Sequence, residues 1–228
     1  MKTLVLDIGG NNVKVYTGAK AEPIKVPSGP ALTPKKMVKD VLAAIGDQKF
    51  EVVSIGYPGP VANGRCLRDP ANLGKGWVNF NFEKAFGRPV KLINDAALQA
   101  LGSYKGGRML FLGLGTGLGS ALIVDGQVEP LELAHLPYKK GKTFEQYVGN
   151  AALERRGKKK WIKSVFDVVA QLKNALQADY VVLGGGNTKL LDTLPPETIR
   201  GSNENACEGG CRLWTSEAQQ KTTRSRRH

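Results

Sequence analysis

The stretch "LFLGLGTGLGSALIVDG", residues 110 to 126, sets four glycines at alternate positions between two apolar runs. A backbone that bare can turn successive amide N–H groups toward an anion, and a phosphoryl donor carries closely spaced anionic oxygens. A second turn of this kind opens the chain in "LVLDIGGNNVK". There Asp7 ends an apolar strand and is placed to hold Mg²⁺ through water. Lys14 either adds a charge or is simply solvated, and Thr116 adds a hydroxyl to the later turn. The competing reading of both turns is a glycine hairpin with no ligand. A dinucleotide loop is excluded. From Gly113, Gly115 or Gly117 the third glycine of G-x-G-x-x-G falls on Leu118, Ser120 or Leu122. "GKT" at 141–143 is no Walker loop either, because the required earlier glycine is Leu136.

The elements that must position these residues alternate between strand and helix. "LVLDI" and "VKVY" read as a strand–turn–strand. "TPKKMVKDVLAAIG" reads as a helix capped by Thr33, with Pro34 at its first position and Gly46 ending it. "EVVSIGYPGPV" is a buried strand entering a proline–glycine loop. "PVKLINDAALQALGSY" is a strand to Asn94 and a helix from Asp95. A second hairpin follows at 110–126. "TFEQYVGNAALERRG" reads as helical, as does "KKKWIKSVFDVVAQLKNALQA", with Trp161, Val165, Val168, Leu172 and Leu176 on one stripe. "DYVVLGGGNTKLL" is strand, glycine turn, helix. "LVLDIGG" at 4–10 and "LFLGLGT" at 110–116 repeat at an offset of 106 residues, which predicts two related lobes facing one cleft. The expected boundaries are 1–105, 106–214 and a disordered basic tail, 215–228.

In that order and spacing, the chain resembles the ROK family of sugar kinases, within the actin-like ATPase superfamily. The residues that carry the resemblance are "LDIGGNNVK", "GYPGPV", "NDA", "LGLGTGLGSALI", "ELAHLPY" and "YVVLGGGN". "ELAHLPY…GKTFEQYVG…ALERRGKKKW" with the terminal "GGCRLW" is closer to the polyphosphate glucokinase branch. The resemblance implies an α/β, duplicated actin-like (ribonuclease H-like) fold, two lobes around a central cleft. It implies glucose phosphorylation at the 6-hydroxyl, with Mg²⁺ and polyphosphate, ATP or both as donor, and a homodimer. It makes Asp95 the general base, although an aspartate opening a helix is commonly only an N-cap. Asn94, Glu132, His135 and Glu145 become sugar ligands; His135, taken alone, reads equally as a structural hydrogen-bond partner. The first phosphate loop is Asp7, Gly9, Gly10, Asn11, Asn12 and Lys14, and the second is Gly115, Thr116 and Gly117. Gly184, Gly185 and Gly186 form the nucleotide-side turn. Two departures stand out. Asn11 replaces the family's usual Thr or Ser and tolerates a left-handed turn. "YKKGKTF" lacks the family's zinc cysteines, so no zinc site is expected.

The formal charge is +13, and residues 139–163 hold nine basic and two acidic residues, a local +7. Such a block is either a solvated face or a track for a polyanion. Lys139, Lys140, Lys142, Arg155, Arg156, Lys158, Lys159 and Lys160 would form the polyphosphate track. Cys66, Cys207 and Cys211 show no disulfide framework; Cys207 and Cys211 can share a helix face, as a metal pair or as reduced thiols. With no secretory signal or membrane-length apolar run, the expected location is the cytoplasm, with no membrane partner. A sugar-responsive DNA-binding regulator of the same family would carry a helix-turn-helix ahead of the first strand, which here starts at residue 2, so no specific nucleic-acid partner is expected. A strictly ATP-dependent hexokinase and a catalytically dead sugar binder are the remaining alternatives.

Overall fold

The computed structural model describes residues 1–18, 22–202 and 204–225, with side chains through 215. The chain divides into two compact units, residues 1–102 with 204–228, and residues 103–203.

In the first unit β1 (Thr3–Ile8), β2 (Asn12–Tyr16) and β3 (Ile24–Pro27) form an antiparallel meander. α1 (Pro34–Ile45) follows, with the Thr33 side chain accepting from the Lys36 N–H and Gly46 closing the last turn, as the sequence predicts. β4 (Val52–Tyr57) then runs parallel to β1. The short hairpin β5 (Val61–Ala62) and β6 (Arg65–Cys66) and the helix α2 (Phe82–Phe86) lead to β7 (Val90–Asn94), parallel to β4, and α3 (Asp95–Ser103). Strand order is β3-β2-β1-β4-β7. Alternation along β1 assigns its two faces: Leu4, Leu6 and Ile8 join the core that contains α1, whereas Val5 packs with Leu98 of α3. Asp7 shares the parity of Val5 and so points to the α3 side.

The second unit repeats this plan. β8 (Arg108–Leu114), β9 (Leu118–Val124) and β10 (Gln127–Leu131) form the meander. α4 (Glu145–Val148), α5 (Asn150–Arg156) and α6 (Lys158–Ala175) precede the parallel strands β11 (Tyr180–Gly184) and β12 (Thr198–Arg200). The order β10-β9-β8-β11-β12 reproduces that of the first sheet strand for strand. The 106-residue echo is therefore a true repeat of topology. Trp161, Val165, Val168 and Leu172 are buried as the helical stripe predicts, and Trp161 donates its indole N–H to the Val148 carbonyl at 2.7 Å.

Two expectations need correction. The helix expected over "TFEQYVGNAALERRG" breaks into α4 and α5 at Gly149, whose backbone is extended (φ −72°, ψ 170°) and so close to the Thr116 and Glu145 carbonyls that a Cβ would press on them. The C-terminal segment belongs to the first unit, not the second, and it is helical: α7 (Asn205–Ser225) packs on β1 and β4. Residues 226–228 of the expected tail lie outside the described residues. Among the described residues no helix is long and apolar enough to cross a membrane.

Candidate active site

The β7–α3 junction holds the expected base. Asn94 caps the helix, its Oδ1 accepting from the Ala97 N–H at 3.1 Å, and its Nδ2 donates to the Gly59 carbonyl at 3.3 Å. Both ends of its amide are thereby tied, to the helix and to the proline–glycine loop. Asp95 accepts the Ala96 N–H at 2.8 Å and remains half-exposed. Asn94 caps the first turn through the Ala97 N–H, while Asp95 takes the N–H of Ala96, its own neighbour. Gly56 makes the junction possible: a Cβ there would run into Leu98 and the Asp95 backbone.

Asp7 is buried, and its Oδ2 receives Lys14 Nζ at 3.7 Å and Gln99 Nε2 at 3.5 Å. Burial raises its carboxyl above the usual range, partly opposed by the charge of Lys14. Gln99 lies one helical turn beyond Asp95, on the same face of α3, so this helix faces both carboxylates. Sequence reasoning missed Gln99, although its i+4 spacing from Asp95 was a usable signal.

The two glycine turns share a feature. In the first, Gly9 donates to the Asn12 carbonyl at 3.0 Å; in the second, Gly115 donates to the Gly117 carbonyl at 3.2 Å. Among the described residues, the N–H groups of Gly10 and Asn11, and those of Thr116 and Gly117, have no hydrogen-bond acceptor. Each unit therefore presents two consecutive unpartnered amides, a cradle suited to anionic oxygens. Gly10 and Gly115 face open space, which leaves their backbone approachable. None of these glycines has positive φ, and neither does Asn11, so its tolerance of left-handed turns is not what the site uses.

Other glycines serve close packing. A Cβ on Gly117 would overlap the Glu145 carboxylate, and one on Gly185 (φ +84°) would overlap the backbone of Leu114. Glu145 accepts the Leu118 N–H at 3.2 Å, so the expected sugar ligand also braces the second turn. Asn150 donates its backbone N–H to the carbonyls of Gly115 (3.1 Å) and Thr116 (3.2 Å), and Asn187 Nδ2 donates to that of Gly115 at 3.3 Å. Asn187 closes the motif "YVVLGGGN", whereas Asn150 carries no signal in the sequence. Gly184 ends β11, and Gly186 opens a 3₁₀ turn whose Thr188 and Leu191 carbonyls are held by Arg200.

Glu132 and His135 bracket a short 3₁₀ turn, their side-chain ends 3.9 Å apart and both side chains exposed (64% and 73% accessible). Ser120 pins that turn, donating to the Leu131 carbonyl and accepting from the Leu133 N–H. The basic residues divide sharply. Lys139 pairs with Asp167, which also takes the Tyr138 hydroxyl, and these partners hold the Asp167 carboxyl below its ordinary range. Lys158 pairs with Asp192, Arg155 donates to the Gln146 carbonyl, and Arg156 stacks on Tyr147. Lys140, Lys142, Lys159 and Lys160 are exposed and have no partner among the described residues. Of the eight track residues, these four are the ones available to a polyanion.

Two units of equal topology, each with a glycine-turn hairpin at the head of its sheet, define the actin-like ATPase class of fold. Within that class the chain belongs to the ROK family, whose sequence profile matches residues 3–129. It is similar to a polyphosphate glucokinase of Mycobacterium tuberculosis, 28% identical over 213 residues covering 84% of this chain and 80% of the relative. Among solved structures it is similar to an inorganic polyphosphate/ATP-glucomannokinase from Arthrobacter sp. strain KM. The two align with a TM-score of 0.79 and 25% identity, covering 95% of this chain and 99% of the other. A ROK hexokinase from Thermus thermophilus shares the fold (TM-score 0.69, 22% identity, 96% of this chain and 100% of that one).

Proposed function

We propose that this protein is a cytoplasmic, Mg²⁺-dependent glucokinase that transfers the terminal phosphoryl group of polyphosphate or ATP to the 6-hydroxyl of glucose. The observation that carries the reading is the pair of consecutive amides without an acceptor among the described residues in each glycine turn, together with Asp95 opening α3 beside the Asn94 cap. The similarity to polyphosphate glucokinases and to a polyphosphate/ATP-glucomannokinase supports both acceptor and donor.

Asp95 accepts the proton of the sugar hydroxyl as that oxygen attacks phosphorus. Asn94, Glu132, His135 and Glu145 bind the sugar, since amides and carboxylates pair with hydroxyls. The amides of Gly10, Asn11, Thr116 and Gly117, with the Thr116 hydroxyl, take the phosphoryl oxygens, and Gly184 to Gly186 form the turn on the nucleotide side. Phosphoryl transfer asks chiefly for such positioning and charge neutralisation. The donor set fits Mg²⁺: Asp7 Oδ2 is engaged by Lys14 and Gln99, and Oδ1 has no partner among the described residues. A single carboxylate with waters and substrate phosphates is ordinary Mg²⁺ coordination. Asp7 would hold the ion, which supplies neutralisation of phosphate charge. A coupled assay of glucose with ATP and with polyphosphate, side by side at low salt, tests the reading. Glucose 6-phosphate formed from both donors is expected; none from either refutes it, and ATP activity alone refutes the polyphosphate assignment.

A further inference from the structure

A hydrogen bond to a carbonyl fixes where the other side of its peptide points. Among the described residues no peptide bond is cis, and in a planar trans unit the C=O of one residue and the N–H of the next face opposite ways. In the second glycine turn the Gly115 carbonyl accepts the Asn150 backbone N–H at 3.1 Å and Asn187 Nδ2 at 3.3 Å. The Thr116 carbonyl accepts the same Asn150 N–H at 3.2 Å. Both carbonyls are thereby held toward α5 and the 3₁₀ turn at Gly186–Leu190. The N–H groups of Thr116 and Gly117 must then turn the opposite way, where they have no acceptor among the described residues. Packing contributes little to this orientation, because Thr116 is exposed and Gly115 borders open space. A glycine peptide turns over readily, and turned over it would set a carbonyl oxygen against an anion.

Three features bring Asn187 to this carbonyl. Gly185 (φ +84°) approaches Leu114 so closely that a Cβ would overlap its backbone, which seats the 3₁₀ turn on the end of β8. Arg200 holds that turn by donating to the Thr188 and Leu191 carbonyls at 2.6 and 2.7 Å. Asn150 Nδ2 donates to Glu154 Oε1 at 2.6 Å, which leaves Asn150 Oδ1 facing Asn187 at 3.5 Å. Asn187 thus meets two acceptors, Asn150 Oδ1 and the Gly115 carbonyl, and only the NH₂ end of its amide satisfies both.

We propose that Asn187 is a positioning residue for phosphoryl transfer: by holding the Gly115 carbonyl it keeps the Thr116 N–H aimed at the phosphoryl oxygens, whichever donor carries them. The catalytic consequence rests on reading this turn as a phosphate cradle. Asn187 acts without touching the donor. Its effect passes through one peptide plane, and the amides it aims serve oxygens common to polyphosphate and ATP. Donors fixed in this way need no reorientation when charge moves onto the oxygens. Without Asn187, the Asn150 N–H, divided between two carbonyls, is the remaining restraint on the Gly115 carbonyl among the described residues.

The test compares the full chain with its Asn187→Ala and Asn187→Asp variants in three measurements. These are steady-state kinetics with ATP and with polyphosphate, glucose binding by calorimetry without donor, and the backbone amide NMR signals of Thr116 and Gly117 titrated with inorganic tripolyphosphate. Tripolyphosphate should move both signals in the parent. Asn187→Ala should weaken that binding and lower kcat/KM roughly 10-fold with both donors alike, the worth of one hydrogen bond. Asn187→Asp should lose on the order of 10²-fold, because its carboxylate repels both the Gly115 carbonyl and the donor. Glucose affinity should be unchanged in both variants. A merely structural asparagine would lower glucose affinity as well, and one that touched the base or ribose of a nucleotide would cost ATP alone. Either result overturns the proposal, as do unmoved Thr116 and Gly117 signals in the parent or parental tripolyphosphate binding in Asn187→Ala. If the signals respond and weaken as expected but the parent phosphorylates no glucose, the functional reading fails while the positioning role stands.

Discussion

Removing two of the four track lysines that have no partner among the described residues, as Lys159→Gln with Lys160→Gln, should separate the two donors. Lys139, Lys158 and Arg156 are engaged with Asp167, Asp192 and Tyr147, so Lys140, Lys142, Lys159 and Lys160 carry the free positive charge. A flexible polyanion that engages a lysine releases condensed counterions, at about 0.7 in the slope of log affinity against log salt per contact. Four contacts give a slope near −3, and two give roughly −1.5. Between 50 and 200 mM salt, affinity for long polyphosphate should therefore fall roughly 50-fold in the parent protein and about 7-fold in the double variant. ATP has no chain to run along the helix, so its KM should change little with either perturbation. The assay is KM for glucose phosphorylation across a salt series, with each donor in turn. Parallel slopes in parent and variant, or equal losses with ATP, would return these lysines to a merely solvated face.

Asp95→Asn keeps an oxygen to accept the Ala96 N–H, so the fold and glucose binding should survive while kcat falls at least ~10²-fold; near-parental turnover would remove Asp95 from the mechanism. Glu132→Gln should weaken glucose binding by roughly 1–3 kcal/mol by calorimetry without moving Tm. Glu145→Gln should lower both affinity and Tm, because Glu145 also holds the Leu118 N–H; equal effects in the two variants would contradict that division. Asp7 is raised by burial, so its ionisation disfavours the folded state as pH rises through and above its folded-state value. Asp7→Asn should thus raise Tm at pH 7 while impairing turnover, and the gain should vanish as pH falls below the ordinary carboxylate range, where Asp7 is protonated in both states. A Tm gain independent of pH would sink this account.

Much of the fold was legible because its signals are local. Period-two alternation around a glycine turn marks β1–β2 and β8–β9, Thr33 and Gly46 bracket α1, and the apolar stripe marks α6. The repeat of the two hairpins, and the strand-to-helix step at Asp95, follow from the same patterns. Which glycines leave amides open and which merely permit close approach was not legible. Gly115 and Gly117 look alike in sequence, yet one faces open space and the other the Glu145 carboxylate. The two roles of Glu145, and the separation of paired from free lysines, depend on partners such as Leu118, Asp167 and Asp192, which lie 27 to 34 residues away and meet only on folding. α7 is the clearest case. Beside the apolar Ala206, Cys207 and Leu213, its closest approach is made by Gly209 and Gly210, residues that carry no hydrophobic signal and ordinarily weaken a helix. The sequence by itself determined where strands and turns begin, because backbone sterics and alternation act over a few residues. Tertiary structure alone decided that a glycine-bearing helix from the far end of the chain seats against β1 and α3, because a glycine's missing side chain acquires meaning only from the Val5 side chain and the Leu98 carbonyl that come to occupy its place.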